Sequence, residues 1–308
     1  MSILNPKNNR LILTISLLWA LLSLASKPLL AADSLPAELA LSESIQAEQL
    51  AKTLKPGEAL WLEVDQDKFL TIFTPDVSDR PKGGAIILHD ANAHPDWPDV
   101  IRPLRTSLPS HGWATISIQL PNINKIEGYL LYQSLINSRI QKAAEHLQSI
   151  GLNNIALIGH GSGALTAAAY LANGNTHPAI RGFIGIGLSV ILTDQTEDYL
   201  PSHIEKIKLP MLDIYGSRDL TSVTSTATER SLAAKKSSRD AASNNEREAY
   251  KKAGLSITTS NIQGYITYRQ IVIEGADHNF EGQSEVLSKR VLGWLERHTN
   301  GTAITPSR

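Results

Sequence analysis

Short apolar runs alternate with amphipathic stretches along most of the chain. Ala85-Ile86-Ile87-Leu88 and Ile155 to Ile158 are continuous apolar segments, as expected of strands covered on both faces. Trp113 to Leu120, Phe183 to Ile186, Met211 to Tyr215 and Arg269 to Ile273 read as further strands. Between them lie segments with helical spacing: Asp99 to His111, closed by Gly112; Leu131 to Ile150, closed by Gly151; Ala164 to Ala172; and a final amphipathic helix, Leu287 to Arg297. Near the start, Ala59 to Val64 and Lys68 to Pro75 flank Asp65-Gln66-Asp67 and predict a hairpin. Before them Asp33 to Thr53 predicts a helix, with Leu35, Leu39, Leu50 and Leu54 at helical spacing and Pro36 in its first turn. The polar stretch Thr221 to Ala253 predicts one or two exposed helices.

Strands alternating with helices predict an α/β fold: a mainly parallel, twisted sheet with helices on both faces. Such a sheet carries its site at the carboxyl ends of its strands. The alternation is continuous and has no linker, so residues 57–298 read as one domain. A helical segment, 33–56, precedes it and a tail, 299–308, follows it.

The ends and the composition narrow the picture. Lys7 and Arg10 precede an apolar run from Leu11 to Leu24, and Ala31 and Ala32 offer small residues for cleavage. This is the pattern of an export signal over residues 1–32, and the run is shorter than the ~20 apolar residues of a membrane span. A periplasmic location with no integral span after signal removal is expected, an uncleaved N-terminal tether being the alternative. The chain has no cysteine, which excludes disulfides and thiolate metal sites. A formal charge of -1 with mixed signs gives no footprint for nucleic acid. The expected partner is a small-molecule ligand or substrate, or another envelope protein, with no cofactor.

Four stretches carry the candidate chemistry. Ile86 to Leu88 runs into His89-Asp90-Ala91; Leu157-Ile158 runs into Gly159-His160-Gly161-Ser162-Gly163; Asp213 to Gly216 runs into Ser217-Arg218-Asp219; and Gly275-Ala276-Asp277-His278 follows the last strand. Their order resembles that of the α/β-hydrolase superfamily and, within it, an uncharacterised family of Gram-negative envelope proteins. The resemblance implies a nucleophile elbow at 159–163, an oxyanion loop at His89, Asp90 and Ala91, an acid at Asp219 and a histidine at His278.

Two positions depart from that pattern. The residue at the apex of the elbow is Gly161, where the superfamily has serine, and Ser162 stands one place late. Register puts Gly161 at the apex, because an apex at Ser162 would force the His160 ring into a position that requires a small residue. Ser162 then either caps the following helix or swings its hydroxyl toward His278. The second departure is Asp90, where the superfamily has glycine. A carboxylate aimed at a developing oxyanion would raise the barrier, and its direction is open at this stage. His89, Asp90, His94 and Asp96 together could hold a metal, but their spacing matches no strong signature and no metal is expected. Two functions follow. One is hydrolysis of an ester, amide or similar bond through His278, Asp219 and Ser162. The other is a non-catalytic envelope protein that keeps the pocket for binding.

Overall fold

The computed structural model describes residues 35–121, 132–174, 176–189, 199–237 and 268–299. The export segment, the far half of the polar stretch and the tail beyond residue 299 lie outside the described residues.

An eight-stranded sheet organises the chain. Its strands are β1 (Glu58–Val64), β2 (Asp67–Thr74), β3 (Gly83–Leu88), β4 (Trp113–Ile118), β5 (Ile155–His160), β6 (Ile180–Ile186), β7 (Met211–Gly216) and β8 (Tyr268–Ile273). They lie in the order β1-β2-β4-β3-β5-β6-β7-β8. β1 and β2 are antiparallel, β2 meets β4 antiparallel, and all remaining pairs are parallel. Val64 pairs with Asp67, so the hairpin turn is the two residues Asp65 and Gln66, tighter than the three-residue turn expected. Asp65 takes the positive φ that such a turn demands.

Alternate residues of the central strands feed two cores. Ile86, Leu88, Ile116, Ile118 and Leu157 face α3 (Gln133–Ser149) and α4 (Ser162–Ala172). Ala85, Ile87, Ile158, Ile184 and Ile214 face α2 (Ile101–Ser107) and the closing helix α7 (Ser284–His298). Burial on both faces explains why these strands read as unbroken apolar runs rather than as alternations. Burying one such Leu or Ile side chain contributes about 1.5–3 kcal/mol, so the two layers dominate stability.

Some elements differ from the pattern-based expectation. The helix after β3 is shorter, beginning at Ile101 and passing at Leu108 into a turn of 3-10 helix that ends at Gly112. The helix after β5 begins at Ser162, two residues earlier than expected. The polar stretch is not simply exposed: beyond α5 (Tyr199–Lys206) and β7, α6 (Thr221–Thr224) and a helix over 227–237 pack inward through Val223, Ala227, Arg230, Ala233 and Ala234. Arg230 is fully buried and pairs with the equally buried Asp213 on β7 at 2.8 Å. The N-terminal helix α1 (Ala37–Thr53) is tied to the domain by charge. Its buried Glu43 accepts from Arg139 of α3 at 2.6 Å, and the same guanidinium grips Asp67 at 2.7 Å. No helix among the described residues is long and apolar enough to cross a membrane.

Candidate active site

β3, β5, β7 and the loop after β8 deliver the four sequence stretches to one place at the carboxyl edge of the sheet. β5 ends at His160, and Gly161 then takes φ 54 and ψ -119 before α4 begins at Ser162. That backbone is costly for residues with a side chain and free for glycine. Gly161 is therefore the apex of the turn. The flanking glycines answer a different need. A Cβ at Gly159 would overlap the Ala164 backbone, and one at Gly163 would overlap the carbonyls of Leu88 and His89.

Asp90 points inward. Its Oδ1 accepts the backbone N–H of Ser162 at 2.6 Å, and its Oδ2 lies 3.1 Å from His278 Nε2. A Cβ built on Gly161 would overlap this carboxylate. Asp90 thus fills the space in which the side chain of an apex serine would stand. It also occupies the amide that follows the apex, a donor otherwise free to hold an oxyanion. The open question about its direction is answered by this geometry, and so is the reason for glycine at 161: the two positions cannot both carry large groups.

Asp219 and His278 meet as the strand order requires. β7 and β8 are parallel neighbours, and the loops after them bring Asp219 Oδ1 to 2.6 Å from His278 Nδ1. Asp219 is held in turn by the N–H groups of Leu220, at 2.8 Å, and Gly216, at 3.2 Å. His278 consequently lies between two carboxylates. Burial opposes its charge, but the hydrogen bonds to Asp219 and Asp90 and their charges outweigh that, raising its pKa to about 9. Burial works in the opposite direction on Asp90, yet the His278 hydrogen bond, the neighbouring imidazoles and the Ser162 N–H hold its carboxyl well below the usual range. Asp219 is likewise lowered despite burial, first by its His278 hydrogen bond. At neutral pH the set is an imidazolium between two carboxylates.

The remaining residues separate into different tasks. Ser162 is the first helical residue; its buried Oγ has no hydrogen-bond partner. It neither caps α4, whose N-cap is Gly161, nor reaches His278, whose two nitrogens are engaged by Asp219 and Asp90. Both expectations for its hydroxyl are corrected. His160 is buried, its Nε2–H donates to the His278 carbonyl at 2.9 Å, and its ring lies 4.9 Å from the His278 ring. Burial is the main reason its pKa is lowered. Both ring nitrogens of His89 are occupied within the protein. Its Nδ1–H donates to the Asp90 carbonyl at 2.8 Å and its Nε2 accepts from Leu120 N–H at 3.0 Å, which pins the Asp90 loop to the end of β4. Burial lowers its pKa to about 4, so it stays neutral. Ala91 packs on the core beside it. The cluster His89, Asp90, His94 and Asp96 does not converge: Asp96 is consumed by Arg105 and Arg102, and His94 Nδ1 accepts the Asp96 N–H at 3.2 Å.

One contributor escaped the sequence reading. A Cβ at Gly187, just past β6, would come within 2.9 Å of His278 Cε1. Glycine there makes room for the imidazole. Its only signal is its place directly after a strand of the central sheet.

Comparison with known proteins bears on the family and the fold. The family described as "Protein of unknown function (DUF3530)" matches residues 9–131 and 129–243. The chain belongs to that family. The matched stretches of this DUF3530 member include Asp90, the elbow and Asp219, and stop short of His278. No curated protein is similar to it in sequence. Among solved structures it is similar to Est1E from Butyrivibrio proteoclasticus (TM-score 0.55, 13% identity, 78% of this chain and 98% of that one). It is also similar to a dienelactone hydrolase from Anabaena variabilis (0.56, 16%, 79% and 98%). A third is an α/β serine hydrolase without lid from Xanthomonas campestris (0.55, 12%, 81% and 98%). At these identities the likeness establishes the α/β-hydrolase fold alone.

Proposed function

We propose that this DUF3530 member is an exported hydrolase-type protein that acts on an ester, amide or similar bond without an acyl-serine step. The observation that carries the reading is the Asp90 carboxylate seated over Gly161, in the serine's place and within 3.1 Å of the histidine of an otherwise intact His278–Asp219 dyad. A glycine apex has no nucleophile, and the hydroxyl one residue later makes no hydrogen bond to the imidazole. The site still has a proton to give. With its pKa near 9, His278 is charged at neutral pH and can protonate a leaving group. The Ser162 amide becomes an oxyanion donor whenever Asp90 releases it.

Export to the periplasm goes with this reading and rests on the sequence of residues 1–32. The substrate class is a small molecule or a group carried on an envelope component.

One observation favours a second reading, ligand binding without turnover. Asp90 engages both the Ser162 amide and His278, so each group that would serve chemistry is already partnered within the protein. A single experiment separates the two. The purified mature protein is assayed on a panel of ester and amide substrates, with and without a fluorophosphonate probe. Hydrolysis that survives the probe and is lost in His278→Ala and Asp90→Asn supports a serine-independent hydrolase. Hydrolysis abolished by the probe would restore a serine mechanism, and no turnover on any substrate would favour the binding reading.

A further inference from the structure

Three groups at the elbow lie close together, and each is held by a hydrogen bond to another part of the site. A carboxylate oxygen of Asp90 and one ring nitrogen each of His160 and His278 lie within 4.8 Å of one another. Asp90 and His278 are already 3.1 Å apart. Tetrahedral zinc, with bonds of about 2.0–2.2 Å, needs its ligand atoms ~3.4 Å apart, so only a modest closing movement of His160 is required.

The supporting groups match what a metal centre needs around its ligands. A ligating histidine usually donates its second N–H to a carboxylate or a backbone carbonyl, which fixes the tautomer and turns the lone pair toward the ion. His278 donates Nδ1–H to Asp219 at 2.6 Å, which leaves Nε2 for a ligand. His160 donates Nε2–H to the His278 carbonyl at 2.9 Å, which leaves Nδ1. Asp90 is steadied by the Ser162 amide at 2.6 Å.

The second observation is independent of the clustering. His160 is 1% exposed, and its Nδ1 is a buried polar atom with no hydrogen-bond partner. A buried ring nitrogen left unsatisfied is destabilising, and a bound cation would relieve it. Ser162 Oγ, two residues on, is unsatisfied in the same way. Two carboxylates, Asp90 and Asp219, also face His278, and a divalent ion would neutralise the excess negative charge.

We infer that Asp90, His160 and His278 form a binding site for a divalent transition metal of the zinc type, with Asp219 orienting His278. Two imidazoles and one carboxylate are a hard-to-borderline donor set that suits zinc, and three protein ligands leave a position for water or substrate. This inference rests on the serine-independent reading and changes one part of it: a metal-bound water would supply the nucleophile that Gly161 lacks, and His278, its Nε2 given to the ion, would no longer be the proton donor. The water oxygen would bond to the acyl carbon as that carbon's bond to the leaving oxygen or nitrogen breaks, the proton given up by the water would pass to that leaving atom, and the ion would neither gain nor lose electrons.

The test is zinc binding by the full mature protein. Chelator-treated protein is titrated with zinc chloride by calorimetry, and the cobalt-substituted form is followed by visible absorption. One ion per chain is expected, with cobalt bands of a four- or five-coordinate centre and X-ray absorption showing two imidazole ligands. Asp90→Asn and His160→Phe should each weaken zinc at least tenfold, and Asp219→Asn about 10–100-fold as the orienting residue. His94→Ala, outside the site, should leave binding unchanged. Circular dichroism of each variant shows whether it is folded. If His160→Phe does not fold, the cobalt spectrum and X-ray absorption of the native protein decide the ligand set.

Absence of stoichiometric binding, or binding unaffected by both Asp90→Asn and His160→Phe, would overturn the site. Zinc binding without hydrolysis would leave the metal site standing and remove the hydrolase reading. Probe-resistant hydrolysis by zinc-free protein would leave the hydrolase reading standing and overturn the role given to zinc in it.

Discussion

Asp90 and Asp96 leave the same loop six residues apart and meet opposite environments. Asp96 is matched by two guanidinium groups: buried Arg105, whose Nε donates at 2.7 Å, and half-exposed Arg102, at 2.8 Å. Asp90 shares a single imidazole with Asp219. The first cluster therefore has one carboxylate for two cations, and the second has two carboxylates for one. Arg105 also donates to the Pro56 carbonyl, so the first cluster fastens the loop to the chain entering β1. Its charges are consumed by structure. In the second cluster each partner has a titratable proton or an atom without a partner, which is how a site retains the ability to change state. The loop is rigid at one end in order that the other can hold an unbalanced charge over Gly161.

The comparison breaks most visibly at Arg105. Arg105→Ala leaves Asp96 buried with only Arg102 as counter-charge, and a loss of about 3–5 kcal/mol is expected in denaturant unfolding. A loss under about 1 kcal/mol would mean that the pair does not anchor the loop.

The next largest effect is on pH dependence. His278 has its pKa raised to about 9 from an unfolded value of 6.5, so its contribution is fully present below pH 6.5 and is lost as pH rises through 9. The expected decline is up to ~3 kcal/mol. His89 has the opposite sign: burial lowers its pKa to about 4, so stability falls as pH drops from 6.5 toward 4. Unfolding followed across this range should show a maximum near pH 6.5. A flat profile between 6.5 and 9 would contradict the imidazolium between two carboxylates.

Asp90→Asn sharpens the same point with a smaller effect. It removes one of the two charges that hold the proton on His278, and the imidazole pKa should fall by about one unit or more, roughly 1–2 kcal/mol. Titration of the histidine ring signals by NMR measures this directly. An unchanged pKa would assign the whole shift to Asp219.

The last prediction concerns the exchange of serine for aspartate. Gly161→Ser alone should destabilise by about 1–3 kcal/mol, because its Cβ meets the Asp90 carboxylate, and it should remain unlabelled by fluorophosphonate. Asp90→Gly combined with Gly161→Ser should recover much of that stability and acquire labelling, since the space and the Ser162 amide are then released. Labelling of the single variant equal to that of the double would show that Asp90 does not block the position.

Much of this was legible beforehand. The apolar runs located the parallel strands because burial on both faces leaves no polar alternation to misread, and chain order placed Asp219 and His278 after strands that prove to be neighbours. The apex was legible too, from the steric demand around Gly159 and Gly163. Other features had no local signal. Asp67 reads as a turn residue and nothing marks Glu43 within its helix, yet both end on buried Arg139. Ser162 suggests a cap, and its hydroxyl is left without a partner because the tight turn gives that role to the Gly161 backbone.

The order of elements, the α/β class and the glycine in place of serine follow from periodicity and from residues near one another in the chain. The direction of Asp90 was decided only by the tertiary structure. That direction depends on residues 161, 162 and 278 arriving on different strands and loops, and on empty space above a glycine. The same is true of His160, which sequence treats as a filler of the elbow. Only the approach of the loop after β8 gives its Nε2 a carbonyl to bind and leaves its Nδ1 buried and unsatisfied.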